Sequence, residues 1–388
     1  MGTETTLKRG NMLLQSNTRA FGGPQMYIQG PGEFDNLFLF SAKYGKKPLV
    51  VIDAGIYGFM SPRLKQLPRD EGVEYVDEAY GGECCREGVD HFVEVIKQNN
   101  CDCIIGIGGG KTLDTIKLAS DDLNIPRIIV PSSASNDNPV AALAVLYTSK
   151  GEHIAGLKLK NATELVLVDT QVIANAPARL FAAGIADALA TWFEARANEK
   201  AVTDNVVGRG YRRCRAAMAI AKESYEILLE DGEDALEAVK HHIVTEALEN
   251  VVEANILLSG LGFINTGCAA AHGIHSALSQ VQSSHAYLHG EKVAFGLVCQ
   301  MILENTPKAE LDRIMRFMVR IGLPVTLEDI NIERTEENLD IIVNHAVNKN
   351  ALVHHAPMVI TEGIVRHAII RADELGKSYK AGKGLLVL

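Results

Sequence analysis

Cys103-Ile-Ile-Gly-Ile-Gly-Gly-Gly-Lys-Thr-Leu-Asp114 is the stretch on which the reading of this chain turns. A short apolar run with the profile of a buried strand meets four glycines within five positions: Gly106, Gly108, Gly109 and Gly110. Lys111 and a helical pattern over residues 112–119 follow at once. Glycine lets the backbone turn tightly and bring bare N–H groups against a bulky anion, and a helix N-terminus adds partial positive charge. Three consecutive glycines cost much chain entropy for a plain βα turn, so the stretch points to a phosphate site.

Two phosphate motifs fit only in part. A Walker A loop ending at Gly110-Lys111-Thr112 needs glycine five positions before Gly110, where Ile105 stands. A dinucleotide fingerprint starting at Gly106 finds its second glycine at Gly108 but Lys111 in place of its third. Asp53, which closes the run Leu49-Val-Val-Ile-Asp53, is an acid able to hold a ribose. It lies upstream of the glycines rather than about 20 residues downstream. The expectation is a pyrophosphate site in an α/β fold, in a non-standard order.

Working outward, strand patterns fall at residues 49–53, 73–76, 103–107, 127–131 and 165–169, with helical stretches between them, notably 88–98 and 112–119. That alternation predicts a parallel sheet covered by helices. Residues 141–147, followed by Lys150-Gly151, read as an antiparallel hairpin arm beside it. From Pro177 onward the pattern is helical, with helices expected over 178–198, 202–230, 234–258, 267–280, 292–304, 308–321, 335–347 and 361–376. The chain therefore reads as an α/β domain over residues 1–175 and an all-α domain over 176–388. The last seven residues read as a tail.

The chain has 388 residues, enough for two or three domains. Its 47% apolar and 22% charged residues are ordinary for a globular protein. A formal charge of −10 argues against nucleic acid or an anionic membrane as partner. No apolar run approaches the roughly 18–20 residues that span a bilayer. The opening Met-Gly-Thr-Glu-Thr-Thr lacks the apolar core of a signal peptide and matches a myristoylation site only loosely, which reads as cytoplasmic. The cysteines number seven, and none has the two-residue spacing of a zinc knuckle or redox pair, so buried free thiols are expected.

In the helical half, Gly184-Ile-Ala-Asp187-Ala-Leu-Ala-Thr191-Trp-Phe-Glu194 puts Asp187, Ala190, Thr191 and Glu194 on one helix face. A carboxylate on a small-residue face leaves room for a ligand. His272, bordered by Cys268, Ala269 and Ser276, has similar surroundings, and His289-Gly-Glu-Lys292 opens the next helical pattern. One aspartate and two imidazoles from three helices would form an N₂O site with an open fourth position, the pattern of catalytic zinc. With twelve histidines, His285 with His289 and His272 with His275 are rival pairs.

Taken together, the sequence resembles the glycerol dehydrogenase group of metal-dependent polyol dehydrogenases. The matching pieces are Gly106 to Asp114, Val130-Pro-Ser-Ser-Ala-Ser-Asn-Asp137-Asn-Pro139, Gly184-Ile-Ala-Asp187-Ala-Leu, Ala269-Ala-Ala-His272-Gly-Ile-His275 and His289-Gly-Glu-Lys-Val-Ala-Phe-Gly296. They run in family order from about residue 20 to 376. The resemblance implies an N-terminal NAD-binding α/β domain, an all-α C-terminal domain, and the active site in the cleft between them. It implies Asp187, His272 and His289 as metal ligands, and Gly108, Gly109, Gly110, Lys111 and Asp114 as the pyrophosphate turn. It implies Asp53 at the adenosine ribose, and Ser132, Ser135, Leu143, Val145 and Tyr147 along the nicotinamide. Asp137 would meet the substrate's hydroxyls. The related iron-dependent alcohol dehydrogenases place a fourth ligand, histidine, where this chain has Thr191, which favours Zn²⁺ over Fe²⁺ or another divalent ion. A ring-like homo-oligomer, such as an octamer, is also implied. Departures are Ala141 for serine, Asn138 for alanine and Cys268 for glycine. Ala141 and Asn138 bear on which polyol is used.

The implied reaction is hydride transfer between NAD and a small polyol or vicinal diol, with zinc stabilising the substrate as its alkoxide. His275 or a water would relay the proton, and His354 is a second histidine for the cleft. An acid at Asp53 predicts NAD rather than NADP. Alternatives are an NAD-using lyase or cyclase of the dehydroquinate-synthase type, a P-loop NTPase, and a catalytically silent metal-binding scaffold. The lyase needs a basic cluster beside the metal, for which only Lys292 and Arg366 offer themselves.

Overall fold

The computed structural model describes residues 18–385, apart from residues 71 and 209. The opening six residues and the end of the tail lie outside the described residues. Six parallel strands form one sheet in the order β1-β8-β5-β4-β2-β3, with β1 Tyr27–Gly30, β2 Pro48–Asp53, β3 Val76–Tyr80, β4 Cys103–Gly108, β5 Arg127–Pro131 and β8 Leu165–Asp169. β2, β4, β5 and β8 are buried almost throughout, as the central strands of a sheet covered on both faces must be. A separate antiparallel pair, β6 Leu143–Tyr147 and β7 His153–Lys158, forms the hairpin arm.

The helices used below are α1 Ala54–Gln66, α2 Arg86–Asn99, α3 Gly110–Leu123, α4 Ala178–Ala201, α5 Arg215–Lys240, α6 Ser259–Thr266, α7 Ala270–Leu278 and α8 His289–Leu303. Among the described residues every named strand precedes residue 170, and the remainder is helical. The α/β half followed by a helical half is therefore as the sequence predicts.

Element boundaries differ in several places. The strand expected at 73–76 lies at Val76–Tyr80, and β1 and β7 carry too few alternating apolar residues to stand out. The helix expected over 202–230 begins only at Arg215, and it continues through Gly232 to Lys240. Gly232 is not a break because the Phe317 ring packs where a Cβ would sit, 2.9 Å away, so tertiary contact replaces propensity.

One continuous helical run, Glu246–Thr266, is long and apolar enough by length and composition to cross a membrane, with mean hydropathy 1.3. It is not an unbroken apolar stretch, since Glu246, Glu249, Asn250, Glu253 and Asn255 interrupt it. The run arises because an α-helix, a π-helical turn at Ala254–Leu258 and α6 join end to end. It packs within the protein, where Asn255 and Asn265 bond to other segments of the chain.

The two halves meet at the loop that leaves β5. Gly184 lies so close to the Ala134 carbonyl that a Cβ there would come within 1.8 Å of its oxygen. Asn255 Nδ2 donates to the same carbonyl at 3.1 Å. The C-terminal ends of β2, β4 and β5, where ligands bind in open α/β sheets, therefore face the helical half directly.

Candidate active site

The glycine stretch is the turn between β4 and α3. A Cβ on Gly108 would lie 2.7 Å from Asp53 Cβ, so the turn passes directly over the end of β2. Beside Gly109 nothing lies within 4 Å of where a Cβ would be, which leaves open space at the helix N-terminus. No side chain caps that terminus, so its first N–H groups stay available. Asp53 caps α1 through Gly55 N at 2.9 Å and accepts from Thr112 Oγ1 at 3.3 Å, placing its carboxylate at the turn. Lys111 is mostly exposed and pairs with Glu83.

Asp114 is placed differently from the rest of the turn. Its carboxylate is buried, accepting from Val145 N at 2.9 Å, from Asn138 Nδ2 and from Lys117 Nζ at 3.4 Å. Lys117, fully buried, also donates to the carbonyls of Asn138 at 2.7 Å and Leu143 at 3.2 Å. Burial raises the Asp114 pKa and lowers that of Lys117, while each opposes the other's shift. Asp114 therefore supports the turn from beneath by tying α3 to β6. Asn138 points into this network, so its amide serves α3 rather than the neighbourhood of Asp137.

Ser132 continues from β5 and donates its N–H to Gly108 O at 3.0 Å. Ser135 accepts from Ser133 Oγ at 3.1 Å. Leu143, Val145 and Tyr147 alternate along β6 and share one face of the arm. Ala141 is fully buried.

In the helical half, α4, α7 and α8 bring Asp187, His272 and His289 together, and their ligand atoms lie within 4.8 Å of one another. Asp187 Oδ1 is 3.3 Å from His272 Nε2 and 3.1 Å from His289 Nε2. Asp187 is 1% exposed, whereas His289 stands on an open rim with 41% of its side chain exposed. Of the rival histidines, His285 bonds the carbonyl of Ser279, and His275 meets His289 edge-to-face with ring centroids 4.3 Å apart.

Glu194, which the sequence placed on the face of Asp187 without a role, holds His272 from behind. It accepts from His272 Nδ1 at 2.8 Å and from the backbone N–H of Ala269 and His272 at 2.8 and 3.0 Å. That bond fixes the tautomer and leaves the Nε2 lone pair aimed at Asp187. Two imidazole nitrogens thus converge on one buried carboxylate oxygen. Only a shared proton or a cation relieves that arrangement, and the N₂O donor set with a carboxylate behind one imidazole fits a divalent metal.

Burial alone would raise the Asp187 pKa, but the two imidazoles hold it well below the usual carboxylate range. Burial opposes charge on His272, yet Cys268, Glu194 and Asp187 beside it raise its proton affinity well above normal. Burial and the neighbouring His289 and Lys292 push His275 well below the usual imidazole value, so it stays neutral. Asp137 is pushed up to about 7 by burial and by Asp187. Its backbone N–H donates to Asp187 Oδ2 at 3.3 Å, and its own Oδ2 accepts from Ser259 Oγ at 2.9 Å.

Three other residues find their places. His354 is exposed and bonds the carbonyls of Val347 and Asn348 at 3.2 and 3.1 Å, so it serves its own loop. Its neighbour His355 reaches the site side instead, through Cys268 O at 2.8 Å. Arg366 spends its guanidinium on Glu336 and Asp340, leaving Lys292 without the basic company that a phosphorylated substrate demands.

Residues 24–170 match the family model described as iron-containing alcohol dehydrogenase. A glycerol dehydrogenase of Escherichia coli is 40% identical over 93% of this chain and 98% of its own length. A glycolaldehyde reductase of Halobacterium salinarum is 37% identical, covering 93% of this chain and 98% of itself. The crystal structure of a probable glycerol dehydrogenase from Sinorhizobium meliloti superposes with a TM-score of 0.87 at 41% identity, covering 93% of this chain and 99% of that one. An identity near two-fifths along almost the entire length, joined to a glycine turn facing a carboxylate–imidazole cluster, makes the chain an oxidoreductase belonging to the glycerol dehydrogenase family, within the iron-containing alcohol dehydrogenases.

Proposed function

We propose that this chain transfers a hydride between NAD and a small polyol carrying adjacent hydroxyls, using a zinc ion held by Asp187, His272 and His289. The observation that carries the reading is the convergence of His272 Nε2 and His289 Nε2 on Asp187 Oδ1, at 3.3 and 3.1 Å. A bound divalent cation supplies Lewis acidity that lowers the pKa of the substrate hydroxyl. Three protein donors with an open position favour zinc, and Thr191 is engaged with Ser259 at 2.9 Å rather than offering a further ligand.

The chain's own residues do the rest. The N–H groups after Gly108 and the α3 terminus cradle the pyrophosphate, assisted by Lys111 once it leaves Glu83. Asp53 accepts from the ribose hydroxyls, and Ser132, Ser135, Leu143, Val145 and Tyr147 fix the nicotinamide pose. Asp137 accepts a hydrogen bond from the substrate's second hydroxyl. Neutral His275, against His289, carries the proton away from the site. Glycerol and glycolaldehyde, after which the relatives are named, both bear oxygens on adjacent carbons, in keeping with this role for Asp137. A cytoplasmic homo-oligomer made of a coenzyme domain to about residue 175 and a metal domain beyond it completes the reading.

The test is NADH formation, read at 340 nm, with glycerol, 1,2-propanediol and 2,3-butanediol, before and after chelation and with zinc or ferrous iron restored. Activity that chelation abolishes and zinc restores is expected. No NADH from any diol would overturn the substrate class, and activity untouched by complete metal removal would overturn the metal's role.

A further inference from the structure

Behind Asp137 lies a buried chain of hydroxyls that the reaction as described does not use. Ser259 Oγ donates to Asp137 Oδ2 at 2.9 Å, and Thr191 Oγ1 sits 2.9 Å from Ser259 Oγ. When Asp137 is ionised it can only accept, so Ser259 gives its single O–H to Asp137 and Thr191 donates to Ser259. Thr191 and Ser259 are 2% and 0% exposed, which shelters both bonds from water. Among the described residues, Ser259 is the one side chain that donates to this carboxylate, and it does so at Oδ2, while Asp137 as a whole is 7% exposed.

The backbone is built around this contact. The π-helical turn Ala254–Leu258 ends immediately before Ser259 and shifts the register of α6, and such turns recur at functional sites. Two glycines follow the serine within its own turn. A Cβ at Gly260 would come 2.6 Å from the Asp137 carbonyl, and one at Gly262 would come 2.7 Å from the Thr191 methyl. The α6 backbone can therefore reach both the Asp137 loop and α4.

We propose that Ser259 and Thr191 are positioning residues that set the preference for vicinal diols over mono-alcohols, by fixing the Asp137 carboxylate so that Oδ1 stays free for the substrate's second hydroxyl. This rests on the reading of Asp137 given above. A mono-alcohol has no second hydroxyl to present, so its turnover does not depend on how that carboxylate is held. A bond to a charged group in a buried site is strong enough for its loss to be read kinetically.

The experiment compares 1,2-propanediol with 1-propanol, which differ by one hydroxyl, in the zinc-loaded wild-type enzyme and in Ser259→Ala, Thr191→Val and Thr191→Ser. Zinc content and NADH affinity by fluorescence are measured alongside. Ser259→Ala and Thr191→Val are expected to lose roughly tenfold in kcat/KM for the diol and under about twofold for 1-propanol. Thr191→Ser, which keeps the hydroxyl, restores the diol preference that Thr191→Val loses. Equal losses on both alcohols, or no loss on the diol, would overturn the inference while wild-type turnover leaves the proposed function standing. A wild-type enzyme that makes no NADH from any diol overturns both.

Discussion

The backbone N–H of Asp137 donates to Asp187 Oδ2 at 3.3 Å, while Asp187 Oδ1 faces the two imidazoles. One buried carboxylate thus joins the loop leaving β5 to the cluster in the helical half. That loop and the cluster share an atom group, so a shift in either is felt by the other.

Glu194→Gln is expected to weaken metal binding by about 10–100-fold, the usual cost of losing an outer-shell carboxylate. Three donors converge on Glu194, and an amide NH₂ among them replaces an acceptor by a donor. Titration of the stripped protein with zinc, read by metal content, checks this. Wild-type affinity in the variant would show that the His272–Glu194 bond plays no part in holding the cluster.

Metal affinity should fall as pH falls. Neutral imidazole is the ligand form, and the carboxylates around His272 raise its proton affinity well above normal, so a proton competes with the cation from neutral pH downward. Each competing proton costs about tenfold in apparent affinity per pH unit. Zinc-binding isotherms between about pH 5.5 and 8, a range reaching above the ordinary histidine value, measure the slope. A flat profile would argue against histidine ligation.

Gly290→Ala and Gly363→Ala should move stability in opposite directions. A Cβ on Gly290 would fall 1.9 Å from the Ala183 carbonyl oxygen, forcing α8 away from α4 and carrying His289 from Asp187. A loss of at least about 1–3 kcal/mol is expected, together with lost metal. Gly363, in the helix Glu362–Lys380, has nothing within 4 Å, and alanine there should gain about 0.4–1 kcal/mol. Thermal melts with metal analysis distinguish the two.

Asp53→Ser should narrow the gap between coenzymes. The Asp53 carboxylate lies at the turn, bonded to Gly55 N and Thr112 Oγ1, and in the proposed role at the ribose it would repel a 2′-phosphate. Wild type should prefer NAD over NADP by roughly tenfold or more in kcat/KM, and the variant by less. Equal efficiency in wild type would remove Asp53 from the ribose.

What could be read from the residues alone was local. The β4–α3 turn declares itself because a buried strand, a glycine cluster and a helix start are neighbours in sequence, and each has its own pattern of residues. The α/β half followed by a helical half was legible for the same reason. Asp187, His272 and His289 could be nominated on small-residue helix faces, but with twelve histidines the rival pairs stayed open. Only the packing of α4, α7 and α8 against one another separates His289 from His285, because ligand choice depends on distances across about a hundred residues of chain. Packing likewise turned Asp114 and Asn138 inward to Lys117, kept α5 helical through Gly232, and put Ser259 behind Asp137. Backbone periodicity reports which face of an element is apolar; it carries no information on which element that face will meet.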